Sequence, residues 1–267
     1  MVAADALGDT AAERLTGLIE RAIAQRHIAR IALTGGTTPR ATYEALADEA
    51  RPWRRRIDWS RVHLFWGDDR HVPPDDPDSN FGMAARALVQ HVPVPAGQVH
   101  RIRGELADPH QAAAEYAREL PDAFDVMLLG LGEDCHVASI FPGSPLMDPG
   151  EPWQNSHGPA IKAGPAAIDG HRRGGADLDG RPVTVTALLT PKGWRITVTP
   201  LVVLSSRAIL MLVSGEHKAA AVAAAIDGPI DVTHCPGQIL REVDERVEWV
   251  LDTAAAGRLR PTRTSAR

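Results

Sequence analysis

The chain has 267 residues, of which 44% are hydrophobic and 24% charged, and its formal net charge at neutral pH is −5. That length and composition are typical of a globular protein with a sizeable core. The acidic balance gives no overall attraction to nucleic acid or to an anionic membrane. No apolar run approaches the roughly 20 residues that span a bilayer, and the first residues lack a signal-peptide pattern. We therefore expect a cytoplasmic protein that binds neither nucleic acid nor a membrane.

The predicted elements alternate between helices and strands along most of the chain. Helices are predicted where apolar residues recur at helical spacing or a capping residue opens a segment, and strands where short apolar runs end at turn residues. The helices are expected at residues 10–26, from Pro39, from Asp78 or Ser79 to about His91, at 109–119 and from residues 215–218 onwards. The strands are expected at residues 28–33, Val62–Trp66, Val126–Leu129, 183–189, 194–198, Ile209–Val213 and Val247–Leu251.

This alternation predicts an α/β fold with a Rossmann-like, mostly parallel sheet and helices on both faces. We expect a single domain over residues 1–257, because no linker or internal repeat divides it. Residues 147–182 are rich in Gly, Pro and charge, which predicts a loop or hairpin insertion. Residues 258–267 contain four arginines and are expected to form a frayed basic tail.

The sequence Thr-Gly-Gly-Thr-Thr at residues 34–38 lies between a predicted strand and a predicted helix. The backbone N–H groups of Gly35 and Gly36, the hydroxyl of Thr37 and the positive end of the helix dipole together favour an anion such as phosphate. The alternative is a tight turn that binds nothing, since no Gly-Lys-Ser/Thr follows.

Two cationic side chains follow other predicted strands. Arg70 lies in Gly-Asp-Asp-Arg-His-Val-Pro-Pro at residues 67–74, where its guanidinium suits a phosphate or carboxylate and an acidic neighbour orients it. Lys218 lies in the first turn of a predicted helix, where a bound anion would offset the unfavourable helix dipole. The alternatives are a surface salt bridge for Arg70 and a solvated side chain for Lys218.

Asp134 and His136 follow the apolar run Val126–Leu129 and the glycines Gly130 and Gly132. A carboxylate beside an imidazole that titrates near neutral pH is suited to general acid–base chemistry. One alternative is a solvated polar loop. The other is a metal site, which is disfavoured because no known ligand spacing is found. The residues of that metal alternative are Asp68, Asp69, His71, Asp134 and His136.

These motifs share one position, because each follows a predicted strand. The carboxyl ends of parallel strands meet at one edge of a sheet, so the motifs are expected to converge there. Several anion donors beside one acid–base pair predict a phosphorylated small molecule and proton-transfer chemistry.

Five motifs, in order and over roughly residues 10–255, resemble those of the 6-phosphogluconolactonases. They are Leu-Thr-Gly-Gly-Thr-Thr-Pro-Arg from residue 33, Trp-Gly-Asp-Asp-Arg-His-Val-Pro from residue 66 with Asp-Ser-Asn from residue 78, Gly-Leu-Gly-Glu-Asp-Cys-His-Val-Ala-Ser-Ile-Phe-Pro-Gly from residue 130, Arg-Ile-Thr-Val-Thr-Pro from residue 195, and Gly-Glu-His-Lys-Ala from residue 215. The resemblance implies a NagB/RpiA-like fold. It also implies hydrolysis of 6-phospho-D-glucono-1,5-lactone to 6-phosphogluconate in the oxidative pentose phosphate pathway, without a metal or other cofactor.

The resemblance also assigns roles by position. His136 would be the general base that activates water, with Asp134 orienting it. The phosphate would be held by Gly35, Gly36, Thr37, Arg70 and Lys218, while Arg195 would line the site and Asp68 would stand among the substrate-binding residues. The sequence does not identify the oxyanion donor or the proton donor. Backbone N–H groups near Gly130 to Gly132 and protonated His136 are the candidates.

Two residues depart from the family pattern. The family usually has Asp-Glu-Arg where this chain has a shorter carboxylate at Asp69, which puts the hold on Arg70 in doubt. It also usually has Asp-Gly-His where this chain has Cys135, and a Cys is strained there if the position needs a positive φ. A nucleophilic Cys135 is a further alternative. Because no C-x-x-C pair is present, Cys135 and Cys235 are both expected to be reduced thiols.

Two other functions are weighed against the lactonase. Amino-sugar phosphate isomerase/deaminases carry Asn-Glu-Pro where this chain has Ile140, Phe141 and Pro142, so a carboxylate used in ring opening is missing. A sugar-phosphate-binding protein without catalysis is supported only by Cys135. A monomer is the expected oligomeric state.

Overall fold

The computed structural model describes residues 1–147 and 184–260. The predicted insertion at 147–182 therefore falls outside the described residues except for Met147, and the basic tail at 258–267 does so from residue 261 onwards. The first residue of the strand predicted at 183–189 also lies outside them. In chain order the described helices and strands are α1 (Leu7–Arg26), β1 (Ala29–Leu33), α2 (Thr37–Ala47), β2 (Val62–Trp66), β3 (Asp68–Arg70), α3 (Asn80–Ala87), α4 (Pro109–Ala117), β4 (Val126–Leu129), β5 (Val185–Thr190), β6 (Gly193–Val198), α5 (Pro200–Ser205), β7 (Ile209–Val213), α6 (Ala219–Asp227) and β8 (Val247–Leu251).

The central sheet has five strands in the order β2-β1-β4-β7-β8, and every neighbouring pair is parallel. Every residue of β4 and of β7 is buried. Because successive side chains of a strand point to opposite faces, burial of all of them means that both faces are covered. The predicted α/β fold with a mostly parallel sheet is confirmed.

A second sheet, of three antiparallel strands in the order β3-β6-β5, was not predicted. The sequence of β3 is three charged residues, which carries no hydrophobic signal for a strand. It becomes one by pairing with β6, where Arg70 lies opposite Arg195 and Asp68 opposite Thr197. The segment after β2 is therefore a strand rather than the loop that its Pro-rich continuation indicates.

The helix ends differ from prediction by a few residues. α1 begins at Leu7 rather than residue 10, and the predicted helix to His91 ends at Ala87 and continues as a short 3₁₀ turn. Ser79 is its N-cap, because its hydroxyl accepts a hydrogen bond from Gly82 N at 3.0 Å. Lys218 lies in a 3₁₀ turn that precedes α6 instead of within the helix.

The strand order places a crevice between β1 and β4. From β1 the chain moves to one side to form β2, then crosses to the other side to form β4, so the connections at the carboxyl ends of β1 and β4 diverge. Such a divergence is where open α/β sheets bind ligands. None of the described helices is long and apolar enough to cross a membrane.

Candidate active site

The acid–base pair lies on a tight turn after β4, which we call the acid–base turn (residues 132–136). Gly132 N donates to His136 O at 2.9 Å, and Cys135 N donates to Gly132 O at 3.1 Å. A Cβ on Gly132 would overlap His136 Nδ1 and Asp134 Oδ1, so only glycine lets the pair lie over the backbone. The Gly132 N–H already donates to His136 O, so it is no longer a candidate oxyanion donor.

His136 Nδ1 lies 2.5 Å from Oδ1 of Asp134. Partial burial acts to raise the pKa of Asp134, but hydrogen bonding and charge interaction with His136 outweigh it and lower that pKa below its ordinary value. An ionised Asp134 fixes the proton of a neutral imidazole on Nδ1 and leaves Nε2 free to accept one. The side chains of Asp134 and His136 are 51% and 31% exposed, so substrate and water can reach them.

One ring contact and one unusual backbone conformation characterise the turn. The ring of Phe141 lies 4.5 Å from that of His136, centroid to centroid. Cys135 has a φ of 70°, which is the left-handed conformation. The position where the family usually has glycine therefore does need a positive φ in this chain. His136 nevertheless stays within hydrogen-bonding distance of Asp134.

The two cysteines are joined in a disulfide, so the prediction of two reduced thiols is wrong. Cys135 and Cys235 are separated by 100 residues in sequence, and their Cα atoms are 4.9 Å apart. A long sequence separation hides such a pairing, since only the fold brings the two segments together. A nucleophilic role for Cys135 is excluded while its sulfur is bonded to Cys235.

Arg70 on β3 and Arg195 on β6 form what we call the arginine wall. Their Cα atoms are register partners. Burial, and then the nearby charge of Arg70, lower the pKa of Arg195. The guanidinium of Arg70 donates to the Asp78 carbonyl and to Asn80 Oδ1, both at 2.6 Å. Two neighbouring cations, of which Arg70 is held by neutral acceptors, favour an anion between or beside them.

Asp69 holds the backbone around Arg70 and does not orient the Arg70 guanidinium as expected. Its buried carboxylate accepts backbone N–H groups of Arg70, Asn80 and Phe81 and the hydroxyl of Ser79. Burial raises the pKa of Asp69 to about 6 despite these hydrogen bonds. The prediction that an acidic neighbour orients this guanidinium is therefore wrong: the carboxylate holds the backbone instead.

Asp68 links the arginine wall to the segment that follows the acid–base turn. Its buried carboxylate accepts the hydroxyl of Ser139 at 2.6 Å and the side-chain amide of Asn80 at 3.2 Å. Ser139 N in turn donates to Thr197 Oγ1 on β6 at 3.2 Å. Both carboxylate oxygens of Asp68 thus accept hydrogen bonds from protein groups. The resemblance placed Asp68 among the substrate-binding residues, and that role stays a prediction.

The glycine turn after β1 meets the same network. A Cβ on Gly35 would overlap the Asn80 side chain, so Asn80 packs directly on the Gly35 backbone. Gly36 has a φ of 113° and precedes α2, whose first residue is Thr37. Gly35 therefore lies beside Asn80 and, through it, beside Arg70.

The turn that carries Lys218 is fixed by a residue that follows β8, the edge strand of the sheet. Asp252, directly after β8, accepts hydrogen bonds from Ser214 Oγ at 2.6 Å and from Gly215 N at 2.9 Å. These bonds fix the start of the turn whose last residue is Lys218. Neither Asp252 nor Ser214 carries a motif signal, because their role depends on the pairing of β8 with β7.

One cleft brings four of the predicted residues together, namely Asp134, His136, Arg195 and Lys218. The other predicted residues, Gly35, Gly36, Thr37, Asp68 and Arg70, do not line this cleft and join it through Asn80 and the arginine wall. Sequence reasoning gave no role to Asn80 or Ser139. Both lie inside the quoted motifs, at residues 78–80 and 130–143, and that position was the available signal.

The cations of the site differ from other cations of the molecule in their partners. Within residues 1–147 and 184–260, none of Arg70, Arg195 and Lys218 makes a salt bridge, whereas Arg56 pairs with Glu20 and Arg101 with Glu105. In the same described segments no group of three or more His, Cys, Asp or Glu side chains is arranged to hold a metal ion. The arrangement favours an organic anion held by these cations beside the acid–base pair.

The fold and the site together define an α/β protein of the enzyme type, in which one cleft places a carboxylate–histidine pair beside Arg195 and Lys218. The chain matches the family described as glucosamine-6-phosphate isomerases/6-phosphogluconolactonase over residues 3–166 and 174–249. It is 36% identical to the 6-phosphogluconolactonase of Mycobacterium tuberculosis, covering 96% of this chain and 95% of that one. It is 34% identical to that of Synechocystis, covering 92% and 91%. The chain belongs to this family.

Solved structures agree with that assignment. The 6-phosphogluconolactonase of Trypanosoma brucei superimposes with a TM-score of 0.72 at 26% identity, covering 97% of this chain and 98% of that one. The Thermotoga maritima 6-phosphogluconolactonase gives a TM-score of 0.71, also at 26% identity, with 94% and 98% covered. A monomeric glucosamine-6-phosphate deaminase matches with a TM-score of 0.71 but at 20% identity, which shows a shared fold alone.

Proposed function

We propose that this enzyme is a lactonase that hydrolyses 6-phospho-D-glucono-1,5-lactone to 6-phospho-D-gluconate, in the oxidative pentose phosphate pathway. Its curated relatives carry the name 6-phosphogluconolactonase and align over nearly the whole chain. The observation that carries the proposal is geometric: the pair of Asp134 and His136 faces the same cleft as Arg195 and Lys218, which have no carboxylate partner among the described residues.

The proposed mechanism begins with a water molecule held by His136. Nε2 takes a proton from the water as its oxygen attacks the C1 carbonyl of the lactone, and Asp134 stabilises the imidazolium that forms. The tetrahedral intermediate then collapses with cleavage of the bond between C1 and the ring oxygen. That oxygen leaves with the proton from His136, which restores the neutral imidazole and yields the free acid.

Substrate binding is assigned to the cations and the glycine turn. Anchoring the remote phosphate at Lys218, the arginine wall and residues 35–37 would orient C1 toward the water on His136. A lactone carbonyl is already electrophilic, so positioning and base catalysis suffice without a covalent nucleophile. The hydroxyl of Ser139 is engaged with Asp68, which supports attack by water rather than by this serine.

The deaminase alternative is disfavoured by the segment after the acid–base turn. Ile140 is fully buried and Phe141 packs on His136, so apolar groups occupy the positions where those relatives carry Asn and Glu. The non-catalytic alternative rested on displacement of His136 by Cys135. Because His136 and Asp134 stay bonded with Cys135 in place, that alternative has lost its supporting argument.

The remaining expectations are part of the same proposal. We propose that the enzyme acts as a cytoplasmic monomer, without a metal or other cofactor and without nucleic acid. Residues 1–257 are proposed to form one domain. The acidic composition supports the lack of nucleic-acid binding, and the lack of a linker or internal repeat supports a single domain.

The test is hydrolysis of freshly generated lactone, coupled to 6-phosphogluconate dehydrogenase, with the spontaneous rate subtracted. We expect His136→Ala to lower kcat at least about 100-fold, since general base catalysis is typically worth that factor or more. His234→Ala is the matched control, because His234 also pairs with an aspartate, Asp231 at 2.9 Å, but lies outside the cleft. A wild-type rate equal to the spontaneous rate would overturn the proposed function, and full activity in His136→Ala would overturn the mechanism.

A further inference from the structure

The chain contains two cysteines, and the fold brings both to one point behind the acid–base turn. Cys135 stands between Asp134 and His136 in sequence, while Cys235 precedes the 3₁₀ segment Pro236–Arg246. Both residues are buried, at 4% and 7% exposure. The mechanism proposed above does not use either sulfur, which leaves the pairing without an assigned role.

The disulfide holds a residue that its backbone conformation disfavours. Cys135 has a φ of 70°, where a residue with a side chain is less stable than in the helical or extended regions. One backbone hydrogen bond, from Gly237 N to Cys135 O at 2.9 Å, supports the same link between the two segments. Cleavage of the disulfide would leave this hydrogen bond and local packing to keep Cys135 in place.

We propose that Cys135 and Cys235 form a redox-modification site that controls the position of His136. In the disulfide form the acid–base turn is tied to the Pro236–Arg246 segment, and His136 is held for proton transfer. In the dithiol form Cys135 relaxes away from positive φ, and the pair of Asp134 and His136 loses its alignment with the cleft. The effect on turnover rests on the proposed function, whereas the cross-link and its effect on the turn do not.

The interconversion is a thiol–disulfide exchange with a dithiol as the reductant. A thiolate of the dithiol attacks one of the two protein sulfurs, which breaks the S–S bond and forms a mixed disulfide. The second thiolate of the reductant then displaces the remaining protein sulfur. The two cysteines gain two electrons and two protons in total, and the dithiol becomes a disulfide. Glutathione disulfide reverses the reaction as the oxidant.

The location of the site predicts which kinetic constant responds. Arg70 and Arg195 lie on β3 and β6, so the arginine wall proposed to bind phosphate is expected to keep its position in the dithiol form. The reduced enzyme should therefore bind substrate normally and turn it over more slowly. Because both cysteines are buried, a small dithiol such as dithiothreitol is the reagent to use.

The experiment compares the enzyme oxidised with glutathione disulfide and the enzyme reduced with dithiothreitol. We expect no free thiols in the denatured oxidised protein and two after reduction. On reduction kcat should fall about 3- to 10-fold, KM should change less than about twofold, and Tm should fall by about 10 °C, as expected for a cross-link that closes a long loop. Hydrogen exchange at the amides of Gly132 and Cys135 should become faster.

Two variants separate the cross-link from other effects of the reductant. Cys235→Ser removes the partner, so its kcat should match that of the reduced wild type in either buffer. The double variant Cys135→Gly/Cys235→Ser places glycine where the positive φ is needed, and its kcat should not respond to dithiothreitol.

Two thiols in the oxidised protein, or an unchanged kcat on reduction, would overturn the proposal. If neither redox form exceeds the spontaneous rate, the proposed function fails instead. Hydrogen exchange then decides this inference: faster exchange at residues 132–136 supports it and unchanged exchange overturns it.

Discussion

The acid–base turn and the arginine wall are built in opposite ways. The turn is partly exposed, and it is held by backbone hydrogen bonds, one glycine and a disulfide. The wall rests on buried carboxylates, with Asp69 holding the backbone and Asp68 holding Asn80 and Ser139. The group that exchanges protons needs access to water, whereas the groups proposed to bind an anion need fixed positions. The following predictions test this contrast, beginning with the largest effect.

Substitution of Gly132 by alanine should break the acid–base turn. The added Cβ overlaps His136 Nδ1 and Asp134 Oδ1, so the pair must move, and a displacement of about 1 Å typically lowers kcat about 100-fold. Gly130→Ala is the matched control, because a Cβ there has no atom within 4 Å. Steady-state kinetics with the coupled assay, on variants with wild-type circular dichroism, checks this. Equal kcat values for the two variants would contradict the close packing of the pair on Gly132.

Removal of a cation from the cleft should weaken binding of the phosphorylated substrate. Arg195→Ala and Lys218→Ala should each raise KM about 10- to 150-fold, because a hydrogen bond to a charged group is worth about 1.5–3 kcal/mol. The same variants should leave the rate with glucono-1,5-lactone, which has no phosphate, unchanged. Arg14→Ala, which removes a surface partner of Glu248, is the control. An unchanged KM in both cleft variants would show that the phosphate binds elsewhere.

The link between the two regions should contribute less. Ser139→Ala removes the hydroxyl that donates to the buried Asp68 carboxylate, and an unsatisfied buried acceptor costs about 1–3 kcal/mol. We expect a corresponding loss in the free energy of unfolding, measured in urea. KM should change about two- to threefold, because the arginine wall next to Asp68 would shift slightly. Ser60→Ala, at an exposed position, should change neither quantity. Wild-type stability for Ser139→Ala would mean that Asp68 is satisfied without it.

Asp69 should give the smallest effect, visible as a pH dependence. Its pKa is raised to about 6 in the native state, above the ordinary value of 3.8, so the native protein binds this proton more tightly than the unfolded chain. The contribution to stability is therefore present at low pH and declines as the pH rises toward and beyond 6. Between pH 5 and 7 the free energy of unfolding should fall by about 1 kcal/mol more in the wild type than in Asp69→Asn. Parallel urea titrations at both values measure it, and an identical pH dependence would show that this pKa is not raised.

The parallel sheet was predictable because its strands are short apolar runs that end at turn residues, and its central strands β4 and β7 are buried on both faces. The bounds of β2, β4, β7 and β8 match the predicted segments. β3 was not predictable in this way, because Asp68, Asp69 and Arg70 have no hydrophobic pattern and form a strand only by pairing with β6. Because β3 consists of charged residues of the site, the sequence pattern did not predict it as a strand.

The candidate site was predictable where a motif joins a strand end to a reactive side chain, as at His136 and Lys218. It was not predictable where one residue acts on another far along the chain. The contacts between Ser139 and Asp68 and between Asp252 and Gly215 depend on strand order, and the bond between Cys135 and Cys235 spans 100 residues. No local pattern records such contacts.

The support of Lys218 by Asp252 has a consequence for the order in which the protein gains activity as it folds. β8 is the last strand along the chain, and Asp252 at its end fixes the turn that carries Lys218, while His136 lies on the turn after β4. Asp252 and Gly215 are 37 residues apart, so the turn that carries Lys218 is completed only when β8 has paired with β7. After dilution from denaturant, far-ultraviolet circular dichroism should therefore recover before lactone turnover does. A chain arrested before β8 docks would carry its acid–base turn and still lack the completed anion site.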